Sequence, residues 1–168
     1  MDTKGFEKYF NILKEGGAEQ ILVIDPSTVV TAPWVFYKCK FGCKKFGTSH
    51  ICPPESPNFR ETREILNCYS KAILFTHRDL SKVRPLATWV SGEAFADDYY
   101  KSIAMASGPC DNCKNCSKEH CNFPGKAVPA MEACGIDVFQ TARNNGIEIH
   151  TVCGKEDEAI YLGMILMD

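Results

Sequence analysis

Apolar residues recur along the chain at two periods, and the switches between those periods mark out the elements. Phe6, Tyr9, Phe10 and Leu13 stand three and four apart, as on one helix face, and Gly16-Gly17 ends that helix. Ile21 to Ile24 is an unbroken apolar run, the mark of a short buried strand, turned by Asp25-Pro26-Ser27. Val29-Val30 and Trp34 to Tyr37 predict further strand segments, interrupted by Pro33. From Cys39 to Pro57 no period survives, and the density of Cys, Gly, Lys and Pro predicts a loop. Asn58 and Glu61 then stand at capping-box spacing before a helix with Ile65, Leu66 and Tyr69 on one face.

Ala72 to Thr76 predicts a strand, and Asp79 caps a helix whose stripe is Leu80, Val83, Leu86-Ala87 and Val90. Tyr100 to Ala106 reads as a strand, and Gly108 to Lys126 as a second irregular loop. Pro129 suits the first turn of a helix ended by Gly135, and Asp137 caps another ended by Gly146. Ile147 to Val152 and Ile160 to Met167 read as closing strands. Trp34, Trp89 and the phenylalanines are assigned to the core, and His77 and His150 to structural places in strands. There is no internal repeat. The expected fold class is α/β (α+β): a single compact mixed sheet with packed helices, one metal-binding domain over 1–168, and two cysteine-rich loops at about 38–57 and 108–126. Both loops follow segments read as strands, which places them to meet at one end of the sheet.

A content of 45 % hydrophobic and 24 % charged residues supports a real core, so metal would add to that core rather than replace it. A net charge of −2 argues against a general nucleic-acid binder. No apolar stretch approaches the roughly 20 residues that span a bilayer, so no membrane partner is expected. The start MDTKGFEKYF lacks a signal peptide's apolar run, which makes the cytoplasm the expected compartment. Ten cysteines are the anomaly. In a reducing compartment, thiols grouped at short spacings point to metal or catalysis before disulfides.

Cys110-x2-Cys113-x2-Cys116-x4-Cys121 is the strongest signal. Two-residue spacers let thiolates converge on one inorganic centre. The first three cysteines match the ferredoxin-type run C-x2-C-x2-C-x3-C-P. The fourth comes one residue late and is followed by Asn122-Phe123-Pro124, so it closes this centre or reaches another. Zinc is the rival metal, although structural zinc sites typically use two separated pairs. His120 is read as a solvated neighbour of Cys121.

Cys39-x3-Cys43-x8-Cys52-Pro53-Pro54 supplies three more thiols. The radical-SAM spacing fails, because Phe46 stands where a third cysteine is needed. Lys38, Lys40, Lys44 and Lys45 crowd this loop, with no acidic residue between Asp25 and Glu55; such charge lowers thiolate pKa and offsets an anionic cluster. The fourth ligand here is left open among Cys121, Cys68, Cys134, Cys153 and a non-cysteine group. Cys68 is read as a core thiol on a helix, and Cys134 and Cys153 as element-end residues able to reach.

These residues resemble the family of cysteine-rich predicted metal-binding proteins of unknown function found mainly in anaerobic bacteria and archaea. The likeness rests on Lys38-Cys39, Gly42-Cys43, Cys52-Pro53-Pro54 with Pro57, and Gly108-Pro109-Cys110-x2-Cys113-x2-Cys116. It continues through Cys121-x2-Pro124 and the run Pro129 to Val138. The resemblance implies a cysteine-bound centre with Cys39, Cys43, Cys52, Cys110, Cys113, Cys116 and Cys121 as family positions.

Two iron–sulfur clusters of the [4Fe-4S] type are therefore expected, because seven loop cysteines exceed the four that one cubane takes. The leading functional expectation is electron transfer, or a redox accessory to an anaerobic enzyme system, with a redox partner protein. One alternative is an enzyme using an open iron of the three-cysteine cluster for Lewis-acid or sulfur chemistry, with Lys38, Lys45 and His50 as candidate supporting groups. Another is a zinc-stabilised binding module. No phosphate-binding glycine loop, HExxH or G-x-S-x-G motif occurs.

Overall fold

The alternation expected of a one-sided sheet is missing from the two central strands. In β2 (Lys71–His77) every residue after the first is buried, and in β4 (Tyr161–Met167) all but Tyr161 are. Such strands need cover on both faces. The computed structural model, which describes residues 5–117, 119–154 and 157–168, supplies it. The fold is α+β, with five α-helices and one four-stranded sheet, in the order β1-β2-β4-β3, among the described residues. The outer strands are β1 (Ile21–Ile24) and β3 (Ile103–Met105), and all three pairings are antiparallel.

Ile73, Phe75, Ile165 and Met167 face one way, against α1 (Glu7–Glu15) and α4 (Leu80–Ala96). Ala72, Leu74, Leu162, Met164 and Leu166 face the other way, against Leu66 of α3 (Phe59–Leu66) and Val138 and Ala142 of α5 (Val138–Asn144). Phe75 lies opposite Gly163, and a Cβ there would drive into its ring; the glycine lets the large aromatic pack flat. His77 ends β2 buried: it accepts the Asp79 N–H at Nδ1 (2.8 Å) and donates from Nε2 to the Gly16 carbonyl (3.1 Å). The Asn58–Glu61 capping box and the Asp79 and Asp137 caps form as the sequence indicates.

Five readings are corrected. Val29-Val30 forms no strand: it follows the 3₁₀ turn Pro26–Thr28, and only the next residue, Thr31, makes an isolated bridge, to Ile136. Trp34 to Tyr37 are helical: Pro33 does not interrupt a strand but opens α2 (Pro33–Gly42) at its first turn, where its missing N–H costs nothing. Ile147 to Val152 forms no strand; Ile147 and Ile149 are buried, but the segment pairs with no neighbouring strand. Pro129 to Gly135 forms only a 3₁₀ turn, Glu132–Cys134. The aromatic assignment also fails, since Trp34 is 46 % exposed, Trp89 53 % and Phe41 68 %. Phe36, Phe95 and Phe123 are exposed as well, whereas Phe6 and Phe75 are in the core.

The segment 130–137 positions the site. It bonds on one side to the end of β3 (Met131 N–H to Ala106 O, 2.8 Å) and on the other to the approach to α2 (Ala32 N–H to Gly135 O, 2.9 Å; Asp137 N–H to Val30 O, 2.8 Å). It therefore joins the start of one cysteine loop to the helix that begins the other.

Candidate metal centres

Cys39 lies in α2 and Cys43 caps its C-terminus, with the Cys43 N–H bonded to the Cys39 carbonyl (3.2 Å). The C-x3-C spacing is thus a helical i, i+4 pair, which puts both thiols on one face. The chain then makes successive turns, Phe46 N–H to Cys43 O and Thr48 N–H to Lys45 O, that return it to Cys52. Cys52 is buried and accepts the Ser49 hydroxyl at 3.2 Å. Cys39, Cys43 and Cys52 border a cavity of ≈ 230 Å³ that Ile51, Pro109 and Glu132 also line.

Cys110, Cys113, Cys116 and Cys121 border a separate space of ≈ 20 Å³, whose far wall is Ser49, His50 and Ile51 of the first loop. The two loops do meet: His50 Nε2 donates to the Ser117 carbonyl at 2.8 Å, and Ile51 borders both cavities. The structure thus groups the seven loop cysteines as three and four, and Cys121 stands with its own loop. All ten cysteines are free. As the side chains stand, no three His, Cys, Asp or Glu among the described residues form a group that could hold a metal ion.

The remaining thiols fall otherwise than the sequence reading has them. Cys68 lies beyond the end of α3, exposed, so it is not a core thiol. Cys153 is exposed beside Asp157, whose carboxylate accepts its N–H (2.8 Å). Cys134 is the core thiol, and burial first, then Glu132, push its pKa up to about 12. None of the three borders either cavity. His120 is exposed, as expected, and so is His150, outside any strand.

The lysines do less than their number indicates. Lys38 lies over the Trp34 ring and Lys40 over Phe41, while Lys45 alone of the group borders the three-cysteine cavity. Cys39 is raised in pKa, not lowered: burial is the largest cause, followed by Cys43, Glu132 and Cys52. Without a cation Cys39 thus favours the protonated thiol. A metal would have to displace the proton.

Sequence reasoning missed two residues. Arg84, 6 % exposed, donates to the carbonyls of Val128 (3.0 Å), Pro109 (3.0 Å), Ser107 (3.2 Å) and Gly108 (2.7 Å). It fastens both ends of the four-cysteine loop to α4. The signal was an arginine between Val83 and Ala87 on a helix's buried stripe. Glu132 is the second: the residue borders the same cavity as Cys39, Cys43 and Cys52, and its Oε2 is buried with no hydrogen-bond partner. Burial raises its carboxyl pKa, against a smaller lowering by its own backbone N–H.

The family described as predicted metal-binding protein (DUF2284) has a model that matches residues 22–167. The chain belongs to this family. Both cysteine loops and the 130–137 segment lie inside the matched span, and soft thiolate donors suit zinc and iron–sulfur clusters alike. No curated protein matches the chain, and no solved structure does. Among the described residues no helix is long and apolar enough to cross a membrane.

Proposed function

We propose that the chain carries two iron–sulfur centres, one at Cys110, Cys113, Cys116 and Cys121 and one at Cys39, Cys43 and Cys52, and passes electrons between them and a redox partner protein. The carrying observation is that Ile51 borders both cavities, so two centres there would share a lining residue. That is the layout of a two-step electron relay, and each cluster would supply reversible one-electron exchange. The C-x2-C-x2-C spacing supports iron for the second loop. The ≈ 230 Å³ cavity that the first three thiols border leaves room for a polynuclear core, whereas a single zinc draws its thiolates to roughly 2.3 Å from one point. Free thiols throughout suit a reducing compartment such as the cytoplasm, and oxygen-sensitive clusters suit an anaerobic setting.

One observation favours a second reading for the four-cysteine loop alone. The ≈ 20 Å³ among its thiols is room for about one ion, as a structural zinc would require.

Anaerobic purification with iron, sulfide and zinc analysis tests both readings. Two clusters predict brown protein in which the triple variant Cys39→Ser, Cys43→Ser, Cys52→Ser keeps about half the iron. Cys113→Ser should empty the other centre, while Cys68→Ser leaves the metal content unchanged. Colourless protein with stoichiometric zinc after anaerobic reconstitution with iron would rule the clusters out. Iron that cannot be reversibly reduced would rule out the relay.

A further inference from the structure

The three-cysteine cavity is one protein ligand short of four, and Glu132, which borders it, has a buried carboxylate oxygen without a hydrogen-bond partner. A buried charge or polar atom without a partner is costly, so such an oxygen marks a place where a proton or cation belongs. The backbone around it is fully engaged. The carbonyls of Ala133 and Cys134 accept the hydroxyls of Ser56 and Thr62, both at 2.7 Å, and Gly135 accepts the Ala32 N–H at 2.9 Å. The Cys39 thiol itself leans on the Glu132 carbonyl at 3.9 Å. Glu132 is therefore held firmly against the cysteines while its side-chain oxygen stays unused.

The cysteines proposed to fill the gap are placed elsewhere. Cys121 borders the other cavity, Cys68 and Cys153 are exposed, and Cys134 packs into the core. We propose that Glu132 is the fourth ligand, a carboxylate, of the metal centre held by Cys39, Cys43 and Cys52. This rests on the reading that the first loop holds a centre. Binding releases the carboxyl proton to solvent, as it does the thiol protons. The resulting centre has one iron with an oxygen donor, harder and more exchangeable than thiolate. Glu132, Cys39 and Cys43 also border a second cavity of ≈ 590 Å³ lined by Trp34, Tyr37 and Phe139, which brings open space to the other side of these residues.

The test is anaerobic reconstitution, with iron and sulfide, of the wild-type chain, Glu132→Gln, Glu132→Cys and the triple Cys39→Ser, Cys43→Ser, Cys52→Ser variant. Iron content, release to a chelator, and Mössbauer and EPR spectra are read for each, with circular dichroism reporting the fold. The wild type should show one iron distinct from the rest by oxygen ligation. Glu132→Gln, close in shape, should lose that component and release iron from this centre several-fold faster. Glu132→Cys should hold iron as firmly as the wild type with an all-thiolate spectrum, which separates ligation from a packing role. A folded Glu132→Gln with the wild-type spectrum and release rate, alongside a triple variant that loses about half the iron, would overturn the glutamate ligand while leaving the centre standing. A triple variant with full wild-type iron would overturn the centre and the ligand together.

Discussion

Gly135 shows how narrowly the 130–137 segment is built. Its φ is +75°, and a Cβ would meet the Phe59 Cβ at 2.7 Å and Cα at 2.9 Å. The left-handed conformation and the contact with fixed backbone act together, since Phe59 opens the capped helix α3. Gly135→Ala should therefore cost about 2–4 kcal/mol, from a strained backbone plus overpacking. Denaturant unfolding of the metal-free protein reads the loss directly. Wild-type stability in the variant would show that α3 can yield, and that the segment is less firmly held than its hydrogen bonds indicate. The same residue scale separates the thiols: the difference between Cys134, sealed in the core, and Cys68, left outside, is a matter of a few side chains that no spacing rule records.

At the scale of elements, α4 does two jobs with one helix. Val83, Leu86, Ala87 and Val90 pack against the sheet, and Arg84 turns toward the loop of 107–128. Four loop carbonyls accept from that buried guanidinium, so Arg84→Met removes their donor without changing the helix. It should cost about 3 kcal/mol, in line with losing several charge-assisted bonds from a buried donor. The effect should concentrate in the second loop, with amide exchange accelerated from Ser107 to Val128 and unchanged in β2. Uniform acceleration across the sheet would mean that Arg84 supports the fold at large rather than this loop. The helix α2 is the opposite case. Only Val35 of it is buried, and its aromatics Trp34, Tyr37 and Phe41 stand outward beside the Cys39–Cys43 pair.

At the scale of the whole molecule, acid should destabilise the metal-free chain through carboxylates that are charged and bonded when folded. The Ser27 N–H and hydroxyl lower Asp25, the Ser81 hydroxyl and N–H lower Asp79, and Lys8 and Tyr9 lower Asp97. Each folded pKa lies below the unfolded one, so between the two the unfolded chain binds more protons and stability rises with pH. That contribution is present above about pH 4 and is lost as the pH falls through the folded values. Thermal melts from pH 7 to pH 3 should therefore fall most steeply below about pH 4. Asp79→Asn, which keeps a capping side chain but cannot titrate, should flatten that limb. An unchanged limb would remove Asp79 from the set.

The sequence by itself determined the elements whose signals are local. These are the α1 stripe, the β1 and β2 runs, the Asn58–Glu61 box, the Asp79 and Asp137 caps and the cysteine spacings, because each depends on residues within one or two turns of one another. It also located the two loops that the family match covers. It misplaced α2, since aromatic residues favour strands only when a pleated surface takes them in, and here solvent does. It left Ile147 to Val152 without its true form, because burial of alternate residues does not require a strand partner. Only the tertiary structure decided which cysteines border which cavity, that Ile51 borders both, and that Glu132 and Arg84 turn inward. Those facts come from segments far apart in the chain brought together by the sheet and by residues 130–137. A carboxylate's or guanidinium's partners across such a distance leave no mark on the spacing of its neighbours.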